Sequence, residues 1–224
     1  MIDSSRSARS FAVVTGASTG IGFELAKQFA EHGFDLLVTA EDAGIEAAAK
    51  QLTAAGASVE SIRVDLCNYE GVEKLYTKIQ SCGRPVDAIA INAGVGVDGN
   101  FAKDTELKAE LNLIALNVTS PVHLAKRVVN DMVDRKQGRI LFTSSTAGSI
   151  PAPFEAVCGA SEAFLFSFAE ALRGELQDLG VTVTALIPDA AEPKENQTDA
   201  ARDGFVALMA GKDNVVACSR SRVA

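Results

Sequence analysis

Positive charge is scarce in this chain. Its 224 residues hold 21 Lys and Arg against 29 Asp and Glu, a formal net charge of −8. A protein that tracks phosphates or an anionic membrane needs a clustered cationic footprint, so nucleic acid and membrane surfaces are not expected as partners. Cysteine is sparse too. Cys67, Cys82, Cys158 and Cys218 show no paired spacing, which argues for reduced thiols over a disulfide or zinc framework, and no metal site is expected. The two histidines, His32 and His123, fall in different helical stretches, so no cysteine has an evident histidine partner. No apolar run approaches the length that spans a bilayer. The opening MIDSSRSARS lacks the apolar centre of a signal peptide, so residues 1–10 read as a polar arm and a cytoplasmic location is expected. Repeats and low-complexity tracts are also missing, and residues 11–224 are expected to form one domain.

What is present is rhythm. Short apolar, β-branched runs at 11–15, 35–39, 58–64, 86–91, 138–144, 181–187 and 213–217 alternate with stretches of helical spacing such as Ile21, Leu25 and Phe29. Repeated strand-then-helix order predicts an α/β fold: a doubly wound, Rossmann-like parallel sheet of about seven strands with helices on both faces. Two longer helices are predicted at about 104–135 and 157–179. The second carries Phe164, Leu165, Phe168, Leu172 and Leu176, an apolar surface broad enough to pack on the sheet and to face another subunit in part.

The segment TGASTGIG at 15–22 closes the first strand and opens the first helix. Gly16, Gly20 and Gly22 permit a tight turn, close approach of a phosphate and close helix packing, while the helix N-terminus favours negative charge. With this spacing, the chain resembles the short-chain dehydrogenase/reductase family, and the resemblance runs from about residue 11 to 188. It implies a dinucleotide site at Gly16, Ser18, Gly20, Ile21 and Gly22. It also implies an adenine contact at Asp65 and Leu66, and a second wall at Asn92, Ala93 and Gly94. Asn117 falls where the family has its structural and proton-relay asparagine, and Ser145 where it has its active-site serine. Strand two ends in Ala40, Glu41 and Asp42 with no Lys or Arg beside them in the sequence. If a dinucleotide binds, NAD is expected over NADP, with Glu41 on the ribose; the two acids also suit capping of the next helix. A cofactor-free protein stays open.

Two departures stand against the resemblance. Thirteen residues after its serine the family has a tyrosine, and four further on a lysine; here those positions are Cys158 and Glu162. A thiol is too short to protonate a carbonyl held at the nicotinamide, and a carboxylate one helical turn away disfavours a thiolate. After Pro188 comes Asp189 where the family has glycine, and the segment expected to cover the substrate is shortened. Three readings follow. The first is a non-redox acid–base enzyme of the dehydration, isomerisation or cyclisation type, acting on a carbonyl-bearing small molecule through Ser145, Cys158, Glu162 and Asn117. The second is an inactive dinucleotide-binding or subunit-partner protein. The third is an oxidoreductase with an atypical proton donor. The family also implies a homo-oligomer through the two long helices.

Overall fold

The computed structural model describes residues 9–146, 153–188 and 196–217. The chain runs β1 (Ser10–Thr15), α1 (Gly20–Glu31), β2 (Phe34–Ala40), α2 (Gly44–Ala54), β3 (Val59–Arg63) and α3 (Tyr69–Ser81). It continues with β4 (Ala88–Ile91), α4 (Leu107–Ile114), a π-helical turn (Ala115–Thr119), α5 (Ser120–Asp134), β5 (Gly138–Thr143) and α6 (Ala156–Leu176). A 3-10 turn (Gln177–Leu179), β6 (Val181–Pro188), α7 (Gln197–Met209) and β7 (Asn214–Ala217) complete the described residues. All seven strands are parallel, in the order β3-β2-β1-β4-β5-β6-β7.

The strands read as near-continuous apolar runs because both faces of the sheet are covered. Along β1, Phe11 and Val13 point into one core with α3, α5 and α6, while Ala12 and Val14 point into the other with α1, α2 and α7. Ile140 and Phe142 of β5 join the first core and Leu141 the second. Each such Leu, Ile or Phe contributes about 1.5–3 kcal/mol by leaving water. The order reverses between β1 and β4, and that seam pairs only Ala12, Val13 and Val14 with Ala88, Ile89 and Ala90. Side chains close both ends of it: Asp87 Oδ2 accepts the N–H of Phe11 (2.8 Å), and Thr15 Oγ1 accepts those of Asn92 and Ala93 (both 3.0 Å).

The helix expected over 104–135 begins at Leu107 and contains the π-helical turn, which periodicity alone does not announce. The polar arm differs as well. Arg9 is tied down through Asp35 (3.3 Å) and the Gly56 carbonyl (2.9 Å), and β1 starts at Ser10, so the domain begins before residue 11; residues 1–8 lie outside the described residues. Cys218 and Asp189 also lie outside them, as does most of the segment between Pro188 and α7. Among the described residues no helix is long and apolar enough to cross a membrane, and no group of His, Cys, Asp or Glu could hold a metal ion.

Candidate functional site

Parallel strands deliver their C-terminal ends to one edge of the sheet, and the strand-order reversal opens a crevice there. The turn after β1 is shaped by glycine. Gly16 (φ +67°) and Gly20 (φ +66°) adopt left-handed backbone, and a Cβ on Gly22 would stand 2.1 Å from the Gly16 carbonyl oxygen and 2.5 Å from Asn92 Nδ2. Asn92 Nδ2 donates to the Thr15 carbonyl (3.2 Å), so Asn92 fastens the end of β4 to this turn. The first turn of α1 carries no acidic residue, and Thr19 makes no side-chain cap, so its N–H groups are left for an anion. A cleft of about 210 Å³ opens beside it, walled by Gly16, Ser18, Asp42, Leu66, Ala93 and Gly94. Ile21 lies outside that lining and packs against the core shared with α7.

Two acids stand at the ribose end of the cleft. Glu41, expected on the ribose, lines it, and the Glu41 carbonyl accepts Arg63 Nε at 2.7 Å. Asp42 is the organised acid: Oδ2 accepts the Ser18 hydroxyl (2.7 Å) and Oδ1 the Gly44 N–H (2.7 Å). The Ser18 bond above all, then that of Gly44, holds its carboxyl below the usual value. Asp42 therefore both caps α2 and faces the cleft. A cation is also present after all, because the β2–β3 register sets Arg63 beside Ala40. Strand register, not sequence adjacency, brings it there. Asp65 is exposed and braces its own loop, accepting from the Cys67 N–H (2.8 Å) and Asn68 Nδ2 (2.9 Å), while Leu66 is buried against the cleft.

The other end of the crevice is formed by β5, the π-helical turn and α6. Ser144, not singled out by the spacing, is buried; its N–H donates to the Leu186 carbonyl (2.8 Å) and its Oγ to the Glu162 carbonyl (3.0 Å), locking β5 to β6 and α6. Ser145 follows, half-buried and engaged in contacts of its own. Asn117 is a clamp. Its Oδ1 accepts the Val95 N–H (3.0 Å), while Nδ2 donates to the Val95 carbonyl (2.9 Å) and to Ser161 Oγ (3.2 Å); Ser161 Oγ in turn donates to the Cys158 carbonyl (2.7 Å). Its amide is thus committed to holding the loop after β4 against α6.

Cys158 is half-buried, and burial, reinforced by Glu162, pushes its thiol pKa up; Glu155 and Asp98 add to the rise against a partial offset from the Val97 backbone. The thiol stays protonated. Glu162 is the sharper anomaly: burial raises its carboxyl to about 7, with only partial relief from Ser144, whose recorded hydrogen bond goes to the main-chain carbonyl. Oε2 is buried and makes no hydrogen bond, and among the described residues Glu162 has no ion-pair partner. A carboxyl so placed exchanges its proton near neutrality.

Comparison with known proteins accounts for this arrangement. The family model described as short chain dehydrogenase matches residues 10–203. The chain belongs to the short chain dehydrogenase family. Among relatives of this family, an uncharacterized oxidoreductase of Bacillus subtilis (strain 168), YmfI, is 31% identical over 81% of this chain and 74% of its own length. A metagenomic short-chain oxidoreductase in complex with NADP shares 28% identity and a TM-score of 0.82, covering 92% of this chain and 95% of that one. A short-chain dehydrogenase from Sphingobium yanoikuyae in complex with NADPH gives 25% identity and a TM-score of 0.85, over 96% and 89%. This is an oxidoreductase-type family, the two solved structures just named hold NADP or NADPH, and the sheet, the helix layers and the glycine turn described above are its fold. A dinucleotide fits the residues present: the turn carries glycine at 16, 20 and 22, where backbone lies close, a helix N-terminus is uncapped, and the cleft opens beside both.

Proposed function

We propose that this protein binds a nicotinamide dinucleotide beside Gly16–Gly22 and carries out acid–base chemistry on a carbonyl-bearing small molecule, with Glu162 as the proton-transferring group. The observation that carries the reading is the buried, unpartnered Glu162 Oε2, whose carboxyl titrates at about 7. A general acid–base works best with a pKa near the working pH. In its ionised form Glu162 accepts a proton from the carbon next to the carbonyl, directly or through a water in the space a tyrosine would fill. In its protonated form it returns that proton to another carbon, which is isomerisation, or to a leaving hydroxyl, which is dehydration. Ser145 polarises the carbonyl oxygen, Asn117 holds the loop that walls the site, and Cys158 fills the helix start as a small apolar group. A bound dinucleotide would supply hydride exchange. No described side chain repeats the tyrosine's long reach, so ordinary carbonyl reduction is expected to be weak.

NAD is favoured over NADP because the Asp42 carboxylate, fixed by Ser18 and Gly44, would repel a ribose phosphate, while the nearby Arg63 is engaged through Nε by the Glu41 carbonyl. Copies of the chain would pair through the apolar face where Phe101, Ile114 and Phe164 border an open groove of about 490 Å³, since all three are exposed in the single chain. A second reading, a dinucleotide-binding partner without turnover, is supported by the surroundings of Cys158, where every charge acting on the thiol is a carboxylate.

One pair of measurements tests the proposal. Calorimetric titration with NAD, NADH, NADP and NADPH should give micromolar binding of the NAD pair. In D2O, proton NMR of simple ketones should show deuterium entering beside the carbonyl, rising through pH 7 and abolished in Glu162→Gln. Exchange that survives in Glu162→Gln overturns the role of Glu162; tight NAD binding with no exchange favours the partner reading.

A further inference from the structure

The N-terminal ends of the strands lie at the edge of the sheet opposite the dinucleotide cleft, and a groove of about 500 Å³ opens there between α3 and α5. Three guanidinium groups line it, Arg84, Arg127 and Arg135, each paired with one carboxylate, Asp35, Glu73 and Asp131 in turn. Each arginine is anchored by part of its donor set. Arg84 Nη1 meets Asp35 at 2.8 Å, and its guanidinium carbon sits 5.1 Å from the centre of the Phe11 ring. Arg127 Nε meets Glu73 at 2.7 Å, Nη2 donates to the Tyr69 hydroxyl at 3.3 Å, and the group stands 5.6 Å from the centre of the Tyr76 ring. Arg135 Nε meets Asp131 at 3.0 Å, and Nη2 donates to the Val86 carbonyl at 2.8 Å.

Once those bonds are counted, Nη1 of Arg127 and Nη1 of Arg135 make no hydrogen bond within the described residues. An arginine just past a helix C-terminus also steadies the helix, but for Arg135 the bonds to Asp131 and Val86 already serve that purpose. Guanidiniums fixed along one edge present their remaining donors in a set direction, so the ordering cost of gripping an oxyanion is already met. Val86 and Val128 give the groove an apolar floor and Tyr76 an aromatic wall. Its volume is in the range that takes a small organic molecule.

We propose that this groove is a second ligand site, which binds a small organic anion: a carboxylate or phosphate monoester carried on an apolar body of about one ring. It lies across the sheet from the crevice, so both sites can be filled in one molecule. The probe is phenyl phosphate, titrated calorimetrically into the full chain beside inorganic phosphate and phenol. Phenyl phosphate should saturate one site per chain, inorganic phosphate should bind at least tenfold more weakly, and phenol should give no heat. Arg127→Gln combined with Arg135→Gln should weaken phenyl phosphate at least tenfold, whereas Arg63→Gln at the other edge should leave it unchanged. If the double variant does not fold, phenylglyoxal modification of the natural chain gives the answer, because phenyl phosphate should slow the labelling of Arg127 and Arg135 severalfold. Equal binding by the double variant, loss of binding in Arg63→Gln, or labelling unaffected by phenyl phosphate would overturn the site.

Discussion

Two regions at one edge of the sheet are held by different kinds of constraint. Around the β1–α1 turn, backbone meets backbone: Gly22 packs on the Gly16 carbonyl, and Thr15 and Asn92 lace the ends of β1 and β4 together. At the start of α6 the groups in question, Cys158 and Glu162, are side chains projecting from a helix. A site made of main chain is locked by the fold that carries it. A site made of side chains can be rewritten while the fold stays.

That contrast can be broken by substitution. The largest effect is expected from Gly22→Ala, whose new methyl has no room against backbone; about 4 kcal/mol of stability should be lost, together with dinucleotide affinity, as denaturant unfolding and calorimetry would show. Glu162→Gln should act in the opposite direction and only at higher pH. Below its ordinary value of 4.5 the carboxyl is protonated in folded and unfolded chains alike and costs nothing. Between there and about 7 the unfolded chain releases the proton while the folded chain keeps it, so stability falls as pH rises. Above 7 the loss is complete at roughly 3 kcal/mol. Urea melts at pH 4, 6 and 8 should therefore show Glu162→Gln equal to the natural chain at the first and more stable at the last. Asn117→Ala strands the Val95 N–H and carbonyl and should cost about 2 kcal/mol in the same melts, with faster amide exchange at Val95. Cys158→Ala should be the mildest, within about 1 kcal/mol of the natural chain, and without effect on proton exchange in ketones; a large loss there would make the thiol a participant and erase the distinction between the two regions.

The legibility of the sequence follows the same line. Strands buried on both faces must be apolar throughout, so FAVVT and GRILFTS declared themselves, and glycines required by close backbone contact stood at fixed spacings. What could not be read depended on direction and register. Glu41 and Asp42 are neighbours in the chain, and only the local rotation of the backbone decides that Asp42 meets Ser18. Arg63 lies far along the chain from Ala40 and reaches it through strand pairing. Ser144 and Ser145 differ by one step, and the pleat assigns the first to the interior. The burial that raises Glu162 toward neutrality comes from surroundings that no local pattern encodes.

The seam between β1 and β4 carries one more consequence. Three paired residues, finished by Asp87 at one end and Thr15 at the other, join sheet halves that are each laddered more extensively within themselves. Such a junction works like a book's spine closed by two clasps. The helix layers lie across that spine like covers, α1 against α7 on one face and α3 against α5 on the other, so the line needs few ladder bonds of its own and its upper end can stand open as the crevice.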